Sequence, residues 1–203
     1  MKKTAICVVM IVLLCVAVAG AKTSKEWEDC GEDAYYDGDY ETSIECYTML
    51  IEQEPDLAIG YQFRGWAYEG AGRVDEAVAD YTTAIEMDPE YSDLYIDRGG
   101  AYGDLGRYDE AIADYTTAIE LDPSAPDGYA GRALVYARMG DEDAALKDVA
   151  MGLELDPGCA SCYYARGLVY LDAGKKKKAK SNLTTACDLG LVEACDALEE
   201  LMK

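Results

Sequence analysis

Histidine is absent from the 203 residues, which removes the commonest general base and metal ligand at neutral pH. Phenylalanine occurs once, at Phe63, and proline only five times. Positive charge is scarce: 18 Lys and Arg stand against 40 Asp and Glu, a formal charge of −22. So acidic a chain lacks the basic footprint that nucleic acid and anionic membrane surfaces require. It would attract basic partners, although acidic solvated faces also serve solubility alone. No phosphate loop, dinucleotide fingerprint or serine in a nucleophile-elbow setting occurs. Carboxylates are abundant but evenly spread, and no pair stands out as acid and base. The expectation is a protein that is not an enzyme, with no catalytic residues and no cofactor.

Long apolar runs are also missing, with one exception at 5–19. Lys2 and Lys3 precede it, and Ala19, Gly20 and Ala21 follow as a small-residue cleavage site, with Ala17, Val18 and Ala19 as a second. This is the layout of a secretory signal peptide of bacterial type over 1–21. The alternative, an uncleaved anchor, has to contend with a run that is short for a membrane span. Lipidation of Cys15 is disfavoured because Leu14 is large where a small residue is usual. A secreted or periplasmic location follows, with membrane contact only through the cleaved segment. Losing Lys2 and Lys3 takes the formal charge to −24.

What the chain does have is a period. Pro55, Pro89, Pro123 and Pro157 lie 34 residues apart, and an aromatic-then-small-residue pattern keeps step with them. A repeat of that length signals a stacked array in which each unit packs only on its neighbours. In the unit at 95–123, small residues such as Gly99 and Ala111 let two helices approach, and Tyr102 and Tyr115 fill the remaining space. Gly38, Gly72, Gly106, Gly140 and Gly174 fall where a left-handed residue would end each first helix. The prolines then stop each second helix. Each unit reads as helix, turn, helix, turn.

Tyr95, Gly99, Tyr102, Ala111, Tyr115, Ala118 and Pro123 match the tetratricopeptide repeat, and the chain resembles that family over about 24–193. Repeats are placed at 24–57, 58–91, 92–125, 126–159 and 160–193, within a domain 22–203 that ends in a capping helix at 194–203. The first aromatic recurs as Trp27, Tyr61, Tyr95, Tyr129 and Tyr163, and the glycine as Gly31, Gly65, Gly99 and Gly167, with Ala133 standing in once. Ala34 and Leu191 break the pattern in the terminal units, as expected where one face meets solvent or a cap. The resemblance implies an all-α, right-handed α-solenoid that binds other proteins. In the cap, Ala194, Ala197, Leu198 and Leu201 form an apolar stripe opposite Glu193, Asp196, Glu199 and Glu200.

Six cysteines follow the leader, and an oxidising compartment makes disulfides the default. Arg64, Arg98 and Arg132 are each followed 16 residues later by Asp80, Asp114 and Asp148. Because the two helices of a unit run antiparallel, this spacing sets arginine against aspartate. Cys30 and Cys46 hold those two slots in the first unit, so a disulfide is expected there in place of the ion pair. The stretch around Cys187 and Cys195 is similar to the cysteine-bridged turns of Sel1-like secreted repeat proteins, which implies a second staple. Cys159 and Cys162 form CASC, with a disulfide, a redox dithiol and a four-cysteine zinc site (with Cys187 and Cys195) as the readings left open.

The family resemblance also implies a concave groove lined by the first helices. Its slots fall on Glu28, Glu32 and Tyr35, then Gln62, Trp66 and Glu69, then Ile96, and finally Tyr164 and Leu168. The floor grades from acidic and aromatic to apolar, which suits a protein or peptide partner with basic and apolar parts. The lysine and asparagine clamp for a chaperone's terminal carboxylate is absent from these slots. Trp66 is the candidate anchor, with packing against the next repeat as the alternative. Lys175, Lys176, Lys177, Lys178 and Lys180 form the one basic cluster. It is either a solvated turn or a docking surface for acidic partners, including the acidic N-terminal repeats of another copy in a self-assembling structural protein.

Overall fold

The computed structural model describes residues 22–203; the leader at 1–21, its cleavage sites and Cys15 lie outside them. Eleven helices are found among the described residues: α1 (Ser24–Tyr36), α2 (Tyr40–Gln53), α3 (Ala58–Gly70), α4 (Val74–Met87), α5 (Ser92–Asp104), α6 (Tyr108–Leu121), α7 (Pro126–Arg138), α8 (Glu142–Leu155), α9 (Ala160–Asp172), α10 (Lys176–Asp188) and α11 (Val192–Met202). Odd and even helices pair as five antiparallel hairpins, and each hairpin stacks on the next to form an all-α solenoid.

Local chemistry sets the ends of the helices. Gly72, at φ +74°, closes α3, with its N–H bonded to Glu69 O and that of Arg73 to Tyr68 O. The same left-handed turn recurs at Gly38, Gly106, Gly140 and Gly174. At the other end of each of the first four units, Glu54, Asp88, Asp122 and Asp156 leave the helical region immediately before the proline, as the proline ring requires of its predecessor. Thr23 and Glu26 form a reciprocal capping box at the start of α1, satisfying N–H groups that have no partner inside the helix.

Within a hairpin the closest contact puts an aromatic ring over a glycine. A methyl group added at Gly65 would lie 2.4 Å from the Tyr81 ring, and one at Gly31 2.6 Å from Tyr47. Gly99 faces Tyr115 in the same way, and Gly167 faces Leu183. Where Ala133 replaces the glycine, the smaller Val149 takes the ring's place. Tyr81 is 0% exposed, so most of its large apolar area is withdrawn from water. Burial also pushes the Tyr81 hydroxyl pKa up.

Arginines then tie the hairpins together. Arg64 Nε and Nη2 donate to Asp80 at 2.7 and 2.8 Å, and Nη1 donates to Thr48 Oγ1 of the preceding unit at 3.1 Å. Arg98 binds Asp114 and Thr82 in the same way, and Arg132 binds Asp148 and Thr116. The arginine–aspartate spacing in the sequence is therefore an ion pair across the hairpin. Its second arm, to threonine, joins adjacent units. Paired, bidentate geometry is what allows charge this far from solvent. In the fifth unit Arg166 meets the neutral Asn182 instead. At the C-terminal end α11 lies on α10, with Ala194 buried and Glu193, Asp196, Glu199 and Glu200 exposed.

Candidate functional site

The first helices of the units line one face of the solenoid, where α7 and α9 pack closely, α5 and α7 less so, α1 and α3 barely, and α3 and α5 least. Side-chain size accounts for the gradient. Ala133 of α7 and Ala165 and Val169 of α9 are buried in one cluster between these helices. At the other end Phe63 packs at a tilt against Trp66 with ring centroids 5.0 Å apart and meets Tyr47 at 5.6 Å. These rings prop the helices apart.

Two adjoining clefts result. One of about 320 Å³ is lined by Glu28, Glu32, Tyr35, Tyr36, Tyr47, Phe63 and Trp66. The other, about 420 Å³, runs between α3 and α5 and is lined by Ile59, Gln62, Phe63, Trp66, Tyr91, Asp93, Ile96, Asp97 and Asp127. Phe63 and Trp66 form the wall between them. Trp66 packs on the buried Ala77, Tyr81 and Ala101, and it lines both clefts.

Of the groove residues read from the sequence, Glu28, Glu32, Tyr35 and Trp66 share the first cleft, and Gln62, Trp66 and Ile96 share the second. Gln62 is only 3% exposed and spends its amide on Asp97 Oδ2 at 2.7 Å. Glu69 turns towards the core, where it accepts a hydrogen bond from the Tyr81 hydroxyl. Tyr164 and Leu168 lie on α9, half-buried and outside both clefts. Phe63, Asp97, Tyr91 and Ile59 were not anticipated. Phe63 alone carried a signal, being the only phenylalanine and three residues from Trp66.

The cysteines face one another in pairs. Cα atoms are 5.9 Å apart for Cys30 and Cys46, 5.3 Å for Cys159 and Cys162, and 4.8 Å for Cys187 and Cys195, all distances a disulfide can bridge. Cys159 caps α9, its sulfur accepting the Cys162 N–H at 3.0 Å. The four-cysteine zinc reading is corrected here: among the described residues no three His, Cys, Asp or Glu side chains are arranged to hold a metal ion. The sulfurs pair two by two, and Cys159 and Cys162 are buried together with Ala130 and Leu153.

Two carboxylates beside Trp66 are held in unusual surroundings. Burial pushes Glu69 up to about 7, partly offset by the Tyr81 hydrogen bond, and pushes Asp97 up to about 6 against the bonds from Gln62 and Trp66. No cation contributes to either. A carboxylate whose folded-state pKa is raised binds more protons folded than unfolded, so stability falls as pH rises from the ordinary carboxylate value through the folded one. The denaturation midpoint is therefore expected to drop between about pH 4.5 and 7, the window set by Glu69. Glu69→Gln should flatten that slope in urea unfolding followed by circular dichroism; an unchanged slope would contradict the assignment.

Three family models match the chain, one described as TPR repeat over 99–140 and two described as tetratricopeptide repeat over 69–113 and 160–189. No curated protein sequence matches it. Among solved structures, the chain is similar to a thermophilic TPR protein of Thermus thermophilus, at TM-score 0.78 and 18% identity over 89% of this chain and 99% of that one. It is also similar to MamA, at 0.63 and 23% over 82% and 91%, and to YrrB, described as a TPR protein with an unusual peptide-binding site, at 0.57 and 22% over 87% and 92%. With the hairpin stack these matches define the fold: the chain carries tetratricopeptide repeats, stacked as an all-α solenoid.

Proposed function

We propose that this protein is a non-enzymatic protein–protein interaction scaffold that holds a peptide or helix of its partner against the first helices of repeats one to three. The observation that carries this reading is the pair of clefts sharing the Phe63–Trp66 wall. Aromatic surface supplies an apolar seat, while Glu28 and Glu32 on one side and Asp93, Asp97 and Asp127 on the other supply negative charge. A ligand with one apolar side chain and flanking lysine or arginine fits that chemistry. The closely packed α7 and α9 leave the C-terminal half of the face as rigid support.

The protein works outside the cytoplasm, delivered by the leader at 1–21, and its three cysteine pairs are oxidised there. This rests on the leader's layout and on the pairwise approach of the cysteines. The Cys30–Cys46 bond takes the place of the arginine–aspartate tie in the first described unit.

Selection of random peptides displayed on phage against the purified protein should enrich sequences with an aromatic or aliphatic residue beside Lys or Arg. Trp66→Ala should weaken a selected peptide by about 30-fold or more, the range of an anchoring tryptophan. Because Trp66 also packs on Tyr81, the pair Glu28→Gln with Glu32→Gln, one half-buried and one exposed, serves as a second variant and should weaken binding more at low salt than at high. Acidic selected peptides, or binding unmoved by both changes, would sink the reading. Separately, peptide mass mapping without reduction should find the segments of Cys30 and Cys46 joined; free thiols at both in exported protein would refute the staple.

A further inference from the structure

The edge of the solenoid where each first helix turns into the second carries a ladder of charge. Arg73, at the start of α4, lies 3.7 Å from Glu41 at the start of α2. Lys175, at the start of α10, pairs with Glu142 at the start of α8, whereas Arg107 pairs with Glu110 of its own unit at 2.8 Å. In both pairs that cross units the cation belongs to the later unit and the anion to the earlier one. The cation slot reads Asp39, Arg73, Arg107, Asp141 and Lys175 at the 34-residue period; the slot of Glu41 reads Glu41, Asp75, Asp109, Asp143 and Lys177, and Glu142 stands one residue before it. Asp39 and Asp141 depart because they cap α2 and α8.

The C-terminal end of the ladder is inverted: the fifth unit presents Lys177 where the four earlier units present an acid. The reversal is not confined to one residue. Acidic residues occupy the first turns of α2, α4, α6 and α8, whereas α10 has none there. Lys176, Lys177, Lys178 and Lys180 stand exposed instead, against the preference of a helix N-terminus for anions. At the opposite end, the outer side of α1 and the start of α2 form an open depression lined by Glu26, Asp29, Asp33, Asp37 and Asp39, with Lys22 the one cation. Among the described residues, the ion pairs of this unit are Lys25 with Glu28 and Asp29, and Arg73 with Glu41. Asp33, Asp37 and Asp39 are left without a cation. A cap, α11, covers the C-terminal end of the stack, yet the lysine edge stays exposed beside it.

We infer that copies of this chain associate head to tail, the lysine edge at the start of α10 of one copy docking on the acidic outer face of α1 and α2 of the next. Both surfaces lie on the same edge of the solenoid, so copies running in one direction bring lysine to aspartate and continue the ladder with its polarity reversed. The contact uses two different surfaces, so a copy docked through one still presents the other, and the assembly grows as an open chain where the rotation between copies does not close a ring. This surface is separate from the clefts around Trp66.

Sedimentation velocity on protein expressed from its full sequence tests this. The net negative charge repels copies at long range, so the salt is chosen to screen that and spare close pairs. At about 0.1 M ionic strength, with a Debye length of about 10 Å, the weight-average sedimentation coefficient should rise with protein concentration; at about 1 M, with a length of about 3 Å, it should not. The triple variant Lys176→Glu, Lys177→Glu, Lys180→Glu and the double variant Asp33→Lys, Asp37→Lys should each sediment as monomers. All five sites are exposed, and circular dichroism checks that both variants fold. Mixed in equal amounts, the two should assemble again, because each carries the charge the other now lacks. A wild type that stays monomeric at about 0.1 M, or a mixture that fails to recover assembly, overturns the inference.

Discussion

The contact on which the structure depends is a ring laid over a glycine. Tyr81 over Gly65, Tyr47 over Gly31 and Tyr115 over Gly99 set how close the two helices of a hairpin come. No hairpin of this size buries enough apolar surface to stand alone, so the stack is stable only if every unit presents the same surface to the next. Fixing the helix spacing within each unit provides that sameness. The arginine ties then add direction: each guanidinium reaches its own aspartate and the threonine of the unit before, so units join in one register and one order.

The same uniformity leaves the inner face free to vary. Residues facing inward from the first helices vary in size, and their sizes decide how far the face opens; at Gly131 the space is taken by the Tyr115 ring of the preceding unit, 2.2 Å from where a methyl group would lie. Phe63 and Trp66 hold α3 away from α5, while alanine and valine let α7 close on α9. An open, aromatic, acidic trough at one end and a rigid seat at the other follow from four or five side chains. Glu69 and Asp97 have no cation to offset their burial, so both hold protons more readily than exposed carboxylates and lose their negative charge as pH falls through about 7 and about 6.

The periodic parts of the structure were legible in the sequence, and the aperiodic parts were not. Helix order, the left-handed glycines and the arginine–aspartate pairs each recur at 34 residues, so spacing alone exposes them. The Thr48, Thr82 and Thr116 acceptors recur too, but their meaning emerges only when one unit is laid on the next. Phe63, Asp97, Gly131 and Ala165 occupy one slot with four different residues. No pattern marks that slot, and it is where the cleft is made. Glu69 was readable as an inward residue, but its turn towards Tyr81 depends on that ring leaving its hydroxyl within reach, a detail of packing with no trace in spacing.

The ring-over-glycine contact is tested most directly in the fourth unit, where Ala133 and Val149 replace the pair. Val149→Tyr alone should destabilise by about 1–3 kcal/mol through overpacking, and Ala133→Gly alone by about 1 kcal/mol through helix propensity. If ring and glycine act as a unit, the double variant should be more stable than the sum of the two losses by on the order of 1 kcal/mol or more in urea unfolding. Strict additivity would contradict it, and would mean that something other than this contact sets the helix spacing.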